Sequence, residues 1–106
     1  MSGLPSISEA EFTTQVVKLA QLYGWCVCHI RPAKTGRGWR TAIQGDPGLP
    51  DIIAARGGIV IGAELKVGKG KPTPSQLEWL KHWGLRGYLW YPKDWDQIEA
   101  VFAGRM

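Results

Sequence analysis

Two short apolar runs near the middle of the chain, residues 52–55 and 59–61, are separated by Arg56 and a Gly57-Gly58 pair. Runs of this length that are rich in β-branched residues are typical of strands. A Gly-Gly pair suits a tight two-residue turn, which needs positive φ at both central positions. The pattern therefore predicts a β-hairpin whose first pair is Arg56 with Ile59.

The register of this hairpin brings charged residues together at its open end. Counting outward from the turn places Asp51 opposite Glu64, and like charges directly opposed in an antiparallel pair are destabilising. Because side chains alternate along a strand, Lys66 emerges on the face of Glu64 while Leu65 turns toward the core. Carboxylate oxygens in this number suit Mg²⁺. The alternative interpretation is a solvated strand edge, with Asp51 in a turn after Pro50.

Helical patterns lie on either side of the hairpin. Ser8 and Glu11 have the spacing of a capping box at the start of a first helix, and Thr73 and Gln76 have the same spacing at the start of a second, with Pro74 in its first turn. Apolar residues at helical spacing predict the inner faces of the two helices: Phe12, Val16, Leu19, Ala20 and Tyr23 in the first, and Leu77, Leu80 and Trp83 in the second.

Further strands are predicted at 25–30 and 88–91, and a last helix is predicted after Asp94. The order is helix, three strands, helix, strand, helix. This order favours an α/β class, or α+β by a stricter convention. The nearly continuous apolar character of the hairpin strands favours a mixed sheet with helices on both faces.

Two basic segments flank the hairpin. Residues 31–50 form a predicted loop, with a β-ribbon as the alternative for part of it, and residues 67–72 form a second flexible segment. Basic side chains interleaved with glycine and Trp39 suit contact with a phosphate backbone and stacking on a base, and the alternative is an ordinary solvated loop. The predicted DNA-binding residues are Arg31, Lys34, Arg37, Arg40, Lys69 and Lys71.

Composition narrows the class of protein. A chain of 106 residues with 44% hydrophobic and 21% charged residues is expected to form one globular domain, residues 1–106 with a core of about 8–102. The net charge of +4 is compatible with a polyanionic partner. The absence of a membrane-length apolar run or a signal-peptide pattern makes an intracellular, cytoplasmic location the expectation. Cys26 and Cys28 lack further zinc ligands nearby and are interpreted as small core residues.

The motifs at these positions resemble a known family. Pro50-Asp51, twelve intervening residues and then Glu64-Leu65-Lys66 resemble the PD-(D/E)XK nuclease superfamily, whose core is restriction-endonuclease-like. Four stretches, at 8–12, 48–51, 63–66 and 73–76, carry a narrower resemblance. In them the chain is similar to the small stand-alone VRR-NUC (virus-type replication-repair nuclease) domains encoded by bacteriophages.

The resemblance implies a DNA endonuclease that depends on Mg²⁺, with Mn²⁺ able to substitute, and that uses no nucleotide cofactor. Members similar to Holliday-junction resolvases act as homodimers on branched DNA. Asp51, Glu64 and Glu11 would bind the metal, Lys66 would be the catalytic lysine, and Gln76 would help to orient the site. Glu9 competes with Glu11 for the same role. The alternative function is a non-catalytic DNA-binding subunit of a larger phage replication or packaging complex.

Overall fold

A computed structural model describes residues 6–30, 33–36, 38–40 and 43–105. Its elements are α1 (Glu9–Leu22), β1 (Cys26–His29), β2 (Ala33–Thr35), β3 (Gly38–Arg40), β4 (Ile52–Arg56), β5 (Ile59–Leu65), α2 (Pro74–Trp83), β6 (Gly87–Trp90) and α3 (Trp95–Phe102). This is an α+β fold, which confirms the predicted class. In the part of the chain that the structure describes, no helix has the length and apolar character needed to cross a membrane.

The main sheet is mixed, with strand order β1-β4-β5-β6. The first two pairings are antiparallel, and β5 pairs with β6 in parallel. The predicted hairpin register is confirmed, because Arg56 pairs with Ile59 and the two turn glycines have φ of 58° and 81°. Since Ile52 pairs with Ala63, the next residues along the two strands are Asp51 and Glu64.

One face of the sheet packs against α1 and α3. Phe12 and Val16 of α1, Phe102 of α3 and Leu65 of β5 are fully buried there. The capping box of α1 is formed as predicted, with Ser8 and Glu11 exchanging hydrogen bonds of 3.1 Å. Such caps stabilise a helix by about 1 kcal/mol.

The opposite face carries α2, which packs on β5 and β6. A Cβ added to Gly62 of β5 would lie 2.8 Å from the Trp83 ring, so this glycine lets the helix approach closely. No residue of α2, all of which is described, is fully buried, and Leu77 is 50% exposed. The expectation of a sheet covered on both faces is therefore met only in part.

The two cysteines lie on the less covered side. Both Cys26 and Cys28 are exposed, so their interpretation as core residues is wrong. The reason is that β1 is an edge strand and side chains alternate along it. Val27, between them, packs against the core.

The basic segment before β4 contains the β-ribbon that was one of the two alternatives. Strands β2 and β3 pair to form a separate two-stranded sheet. Arg31 and Arg37 lie outside the described residues, as do the side chains of Lys34, Trp39 and Arg40. Their predicted role in DNA binding stays a prediction.

Candidate active site

Asp51 lies immediately before β4, where the hairpin ladder ends. Its Oδ2 accepts a hydrogen bond of 2.9 Å from the Leu65 backbone N–H on the neighbouring strand. The flanking residues Pro50 and Ile52 are both fully buried, so the backbone that carries this carboxylate is held in the core. The bond therefore fixes the Asp51 carboxylate at the end of β5, beside Glu64.

Glu64 is buried, with only 1% of its surface exposed. It lies between Ala63 and Leu65, which belong to the core on the other face, so its side chain projects to the face that α2 covers. Its Oε2 lies 3.3 Å from Lys66 Nζ, whereas its Oε1 has no hydrogen-bond partner among the described residues. An unpaired buried acceptor carries a desolvation cost of about 1–3 kcal/mol. We call Asp51, Glu64 and Lys66 the acid-lysine cluster.

The acid-lysine cluster contains two carboxyl groups but only one ammonium group. Burial, and then the nearby Asp51 carboxylate, raise the pKa of Glu64 from 4.5 to about 8, although Lys66 opposes the rise. Glu64 therefore holds a proton near neutral pH when no cation is present. A cation bound between the two carboxylates would replace that proton.

The first turn of α2 holds the segment before Asp51 in place. Gly48 has φ of 102°, and a Cβ there would lie 2.5 Å from the backbone carbon of Ser75, so both the conformation and the close approach require glycine. The Trp79 indole N–H also donates to the Pro47 carbonyl at 2.9 Å. The sequence pattern around Gly48 indicates only a motif, because a contact 27 positions away leaves no local signal.

Gln76 lies in the same turn of α2. Its Oε1 accepts the Thr73 backbone N–H at 2.8 Å, and its own backbone N–H donates to the Thr73 hydroxyl at 3.2 Å. The capping role predicted for Gln76 is therefore confirmed, and its role in orienting the site stays a prediction.

Glu11 is not brought together with the other two carboxylates. Its Oε1 accepts the Ser8 backbone N–H, and this bond lowers the pKa of Glu11. Glu11 and Glu9 are both exposed on α1, which packs against the face opposite to that of the Glu64 side chain. Among the described residues, no group of three or more His, Cys, Asp and Glu side chains is arranged to hold a metal ion. The acid-lysine cluster offers two carboxylates.

The remaining predicted residues, Lys69 and Lys71, line a cleft of about 870 Å³. Lys93 and Tyr91 line it too, and the sequence analysis missed both. They follow β6, and nothing in the sequence pattern indicated that β6 pairs beside β5 at this edge. We call this space the lysine cleft.

Comparison of the chain with protein-family models, with curated proteins and with solved structures finds no match. The resemblance carried by the motifs at 50–51 and 64–66 therefore has no relative to support it. What remains on which to base a function is the chemistry of the acid-lysine cluster and of the lysine cleft beside it.

Proposed function

We propose that this chain is a metal-dependent endodeoxyribonuclease that hydrolyses phosphodiester bonds, with a preference for branched DNA, and that the acid-lysine cluster is its active site. One observation carries the proposal. Glu64 is buried beside a second carboxylate with one oxygen unpaired, so the pair needs either a proton or a cation, and the proposal assigns it a cation. If position 64 had only a structural role, an apolar side chain there would make the protein more stable than the buried glutamate does.

The donor set fits a hard divalent ion. Mg²⁺ is usually held by one or two carboxylates and keeps its other positions for water and substrate phosphate. Asp51 and Glu64 would supply those carboxylates, and the unpaired Oε1 of Glu64 is an available ligand atom. When bound, such an ion supplies a water of lowered pKa and Lewis-acid stabilisation of the phosphate.

Each side chain of the cluster has a distinct task in this proposal. Asp51 is oriented by the Leu65 N–H, so one of its oxygens is held before any ligand arrives. Glu64 would hold the ion as a carboxylate, so its proton would have to leave for the ion to bind. Lys66 has 17% of its side chain exposed, so its ammonium lies at the rim, where it would stabilise negative charge developing on the phosphoryl oxygens.

The order of the elements along the chain also supports the proposal of a nuclease. Apart from the β2-β3 ribbon, the chain runs α1, β1, β4, β5, α2, β6, which is the order expected of a restriction-endonuclease-like core. A homodimer is part of the proposal, because a two-fold dimer would present two active sites to two strands of a branched molecule.

The proposal is tested by cleavage of labelled linear duplex, flap and four-way-junction DNA in Mg²⁺, in Mn²⁺ and in chelator. We expect Lys66→Ala to lower the cleavage rate by about 10²–10³-fold, the loss typical of one preorganised electrostatic group. Its affinity for DNA in chelator should change little. Lys18→Ala removes an exposed lysine of α1 and is the matched control. Binding of every substrate by the wild type without cleavage would refute the proposal and favour a DNA-binding subunit.

A further inference from the structure

The lysine cleft opens at the same edge of the sheet as the acid-lysine cluster. Because β5 and β6 are parallel, their carboxyl ends lie side by side, with Leu65 paired to Trp90. The Lys66 backbone N–H donates to the Trp90 carbonyl at 3.0 Å. Lys66 and Tyr91 therefore leave the sheet as neighbours, and residues 67–71 lead from the cluster directly into the cleft.

The charge of the cleft is positive. Lys69, Lys71 and Lys93 line it and are all exposed, and none of the described residues that line it is acidic. The acid in the turn after β6, Asp94, uses its Oδ2 to accept the Tyr91 backbone N–H at 2.9 Å. The cleft is thus suited to a polyanion, whose binding releases counterions from the phosphates.

One wall of the cleft is apolar and held in place. Ile7, Val67 and Tyr91 contribute to it, and the Tyr91 hydroxyl donates to the Gly70 carbonyl at 2.7 Å, which joins the two sides. The Lys93 ammonium lies 5.6 Å from the centre of the Tyr91 ring. Lysines combined with aromatic and apolar surface are the usual means of binding single-stranded nucleic acid, because bases pack on the wall while phosphates contact the cations.

The size of the cleft matches a short stretch of one strand. A volume of about 870 Å³ equals that of a cube about 9.5 Å on a side. At roughly 3.4 Å for each nucleotide step, one strand would place about two or three nucleotides in the cleft.

We infer that the lysine cleft binds a short unpaired stretch of DNA strand adjoining the phosphate that the acid-lysine cluster cleaves. Lys93 contacts its backbone and Tyr91 forms the wall for its bases. The position of the cleaved phosphate rests on the proposed function, but the binding of an unpaired strand does not. The preferred substrates are then DNA molecules with unpaired nucleotides beside the cleaved bond, such as flaps and open branch points.

The test measures binding in chelator, where no metal-dependent cleavage takes place. Fluorescence anisotropy compares a labelled oligothymidylate with a blunt-ended linear duplex over a range of salt concentrations. We expect Lys93→Ala to weaken binding of the single strand by about 3–10-fold and to lower the slope of log K against log salt by about 0.7, the value for one phosphate contact on a single strand. Binding of the blunt-ended duplex should stay within about twofold, and Lys93→Glu should enlarge only the single-strand effect.

Lys18→Ala should leave both affinities and both salt slopes unchanged, because Lys18 lies outside the cleft. Equal losses on the single strand and the blunt-ended duplex, or an unchanged salt slope in Lys93→Ala, would overturn the inference. A wild type that cleaves DNA while its Lys93→Ala variant binds single strands normally would keep the proposed function and reject the cleft. If the protein cleaves no DNA but binds single strands in a way that depends on Lys93, the cleft is kept and the proposed function is rejected.

Discussion

Replacement of Glu64 by glutamine should stabilise the metal-free protein, and by an amount that grows with pH. In the unfolded chain a glutamate loses its proton near pH 4.5, whereas burial beside Asp51 raises the pKa of folded Glu64 to about 8. The protonated side chain thus contributes stability that is fully present below pH 4.5 and is lost as pH rises toward 8. The Glu64→Gln variant keeps its neutral side chain throughout.

The size of this stabilisation follows from the slope of the free energy of unfolding against pH. Between the two pKa values, each pH unit removes about 1.4 kcal/mol from the free energy of unfolding of the wild type. From pH 5 to pH 7 the wild type should lose on the order of 3 kcal/mol relative to Glu64→Gln. For a domain of this size, 1 kcal/mol shifts Tm by about 4–8 °C, so the gap between the two proteins should widen by more than about 10 °C.

The assay is thermal and urea denaturation of both proteins in chelator at several pH values from 5 to 8. Effects of the amide that do not depend on pH cancel, because only the change in the difference between the proteins is used. Asp96→Asn replaces an exposed acid of α3 with its amide and is the matched control. A difference between wild type and Glu64→Gln that stays constant over this pH range would refute the reasoning.

Three further substitutions and one control test how the site is positioned, each by denaturation and by cleavage of junction DNA in Mg²⁺. Gly48→Ala should destabilise the fold by at least about 1–3 kcal/mol and reduce cleavage, because it adds a Cβ 2.5 Å from backbone at a φ of 102°; unchanged stability would contradict the close approach. Thr73→Ala should cost about 1 kcal/mol through loss of the α2 cap, and no loss would contradict a capping role. Gly62→Ala should cost about 1–3 kcal/mol by displacing Trp83, and unchanged stability would contradict that contact. Gly58→Ala is the control for Gly48→Ala, because it has a positive φ of 81° with nothing within 4 Å of the added Cβ.

Local patterns were enough to predict the hairpin and the helix starts. The Gly57-Gly58 pair fixes the turn, and the turn fixes every pair along the hairpin, so the proximity of Asp51 and Glu64 followed from counting. Capping boxes are equally local, because Ser8 with Glu11 satisfies backbone groups within one turn. This capping bond holds the Glu11 carboxylate at Ser8, so the Ser8-to-Phe12 motif has a local role in the helix start that does not depend on a metal site.

Features set by tertiary packing could not be predicted in this way. The parallel pairing of β6 with β5 brings Tyr91 and Lys93 beside Lys66, and a crossover through α2 leaves no local sign of it. The exposure of Cys26 depends on β1 being an edge strand, which the apolar pattern of one strand does not specify. The requirement for glycine at position 48 comes from the backbone of Ser75.

The most direct test of the central claim is cleavage of four-way-junction and flap DNA by the wild type and by Asp51→Asn and Glu64→Gln, in Mg²⁺ and in chelator. The proposed site predicts cleavage by the wild type in Mg²⁺ alone. Both variants should lose that activity while remaining folded, with Glu64→Gln at least as stable as the wild type. Cleavage by either variant at the wild-type rate, or cleavage by the wild type in chelator, would contradict a metal-dependent active site at the acid-lysine cluster.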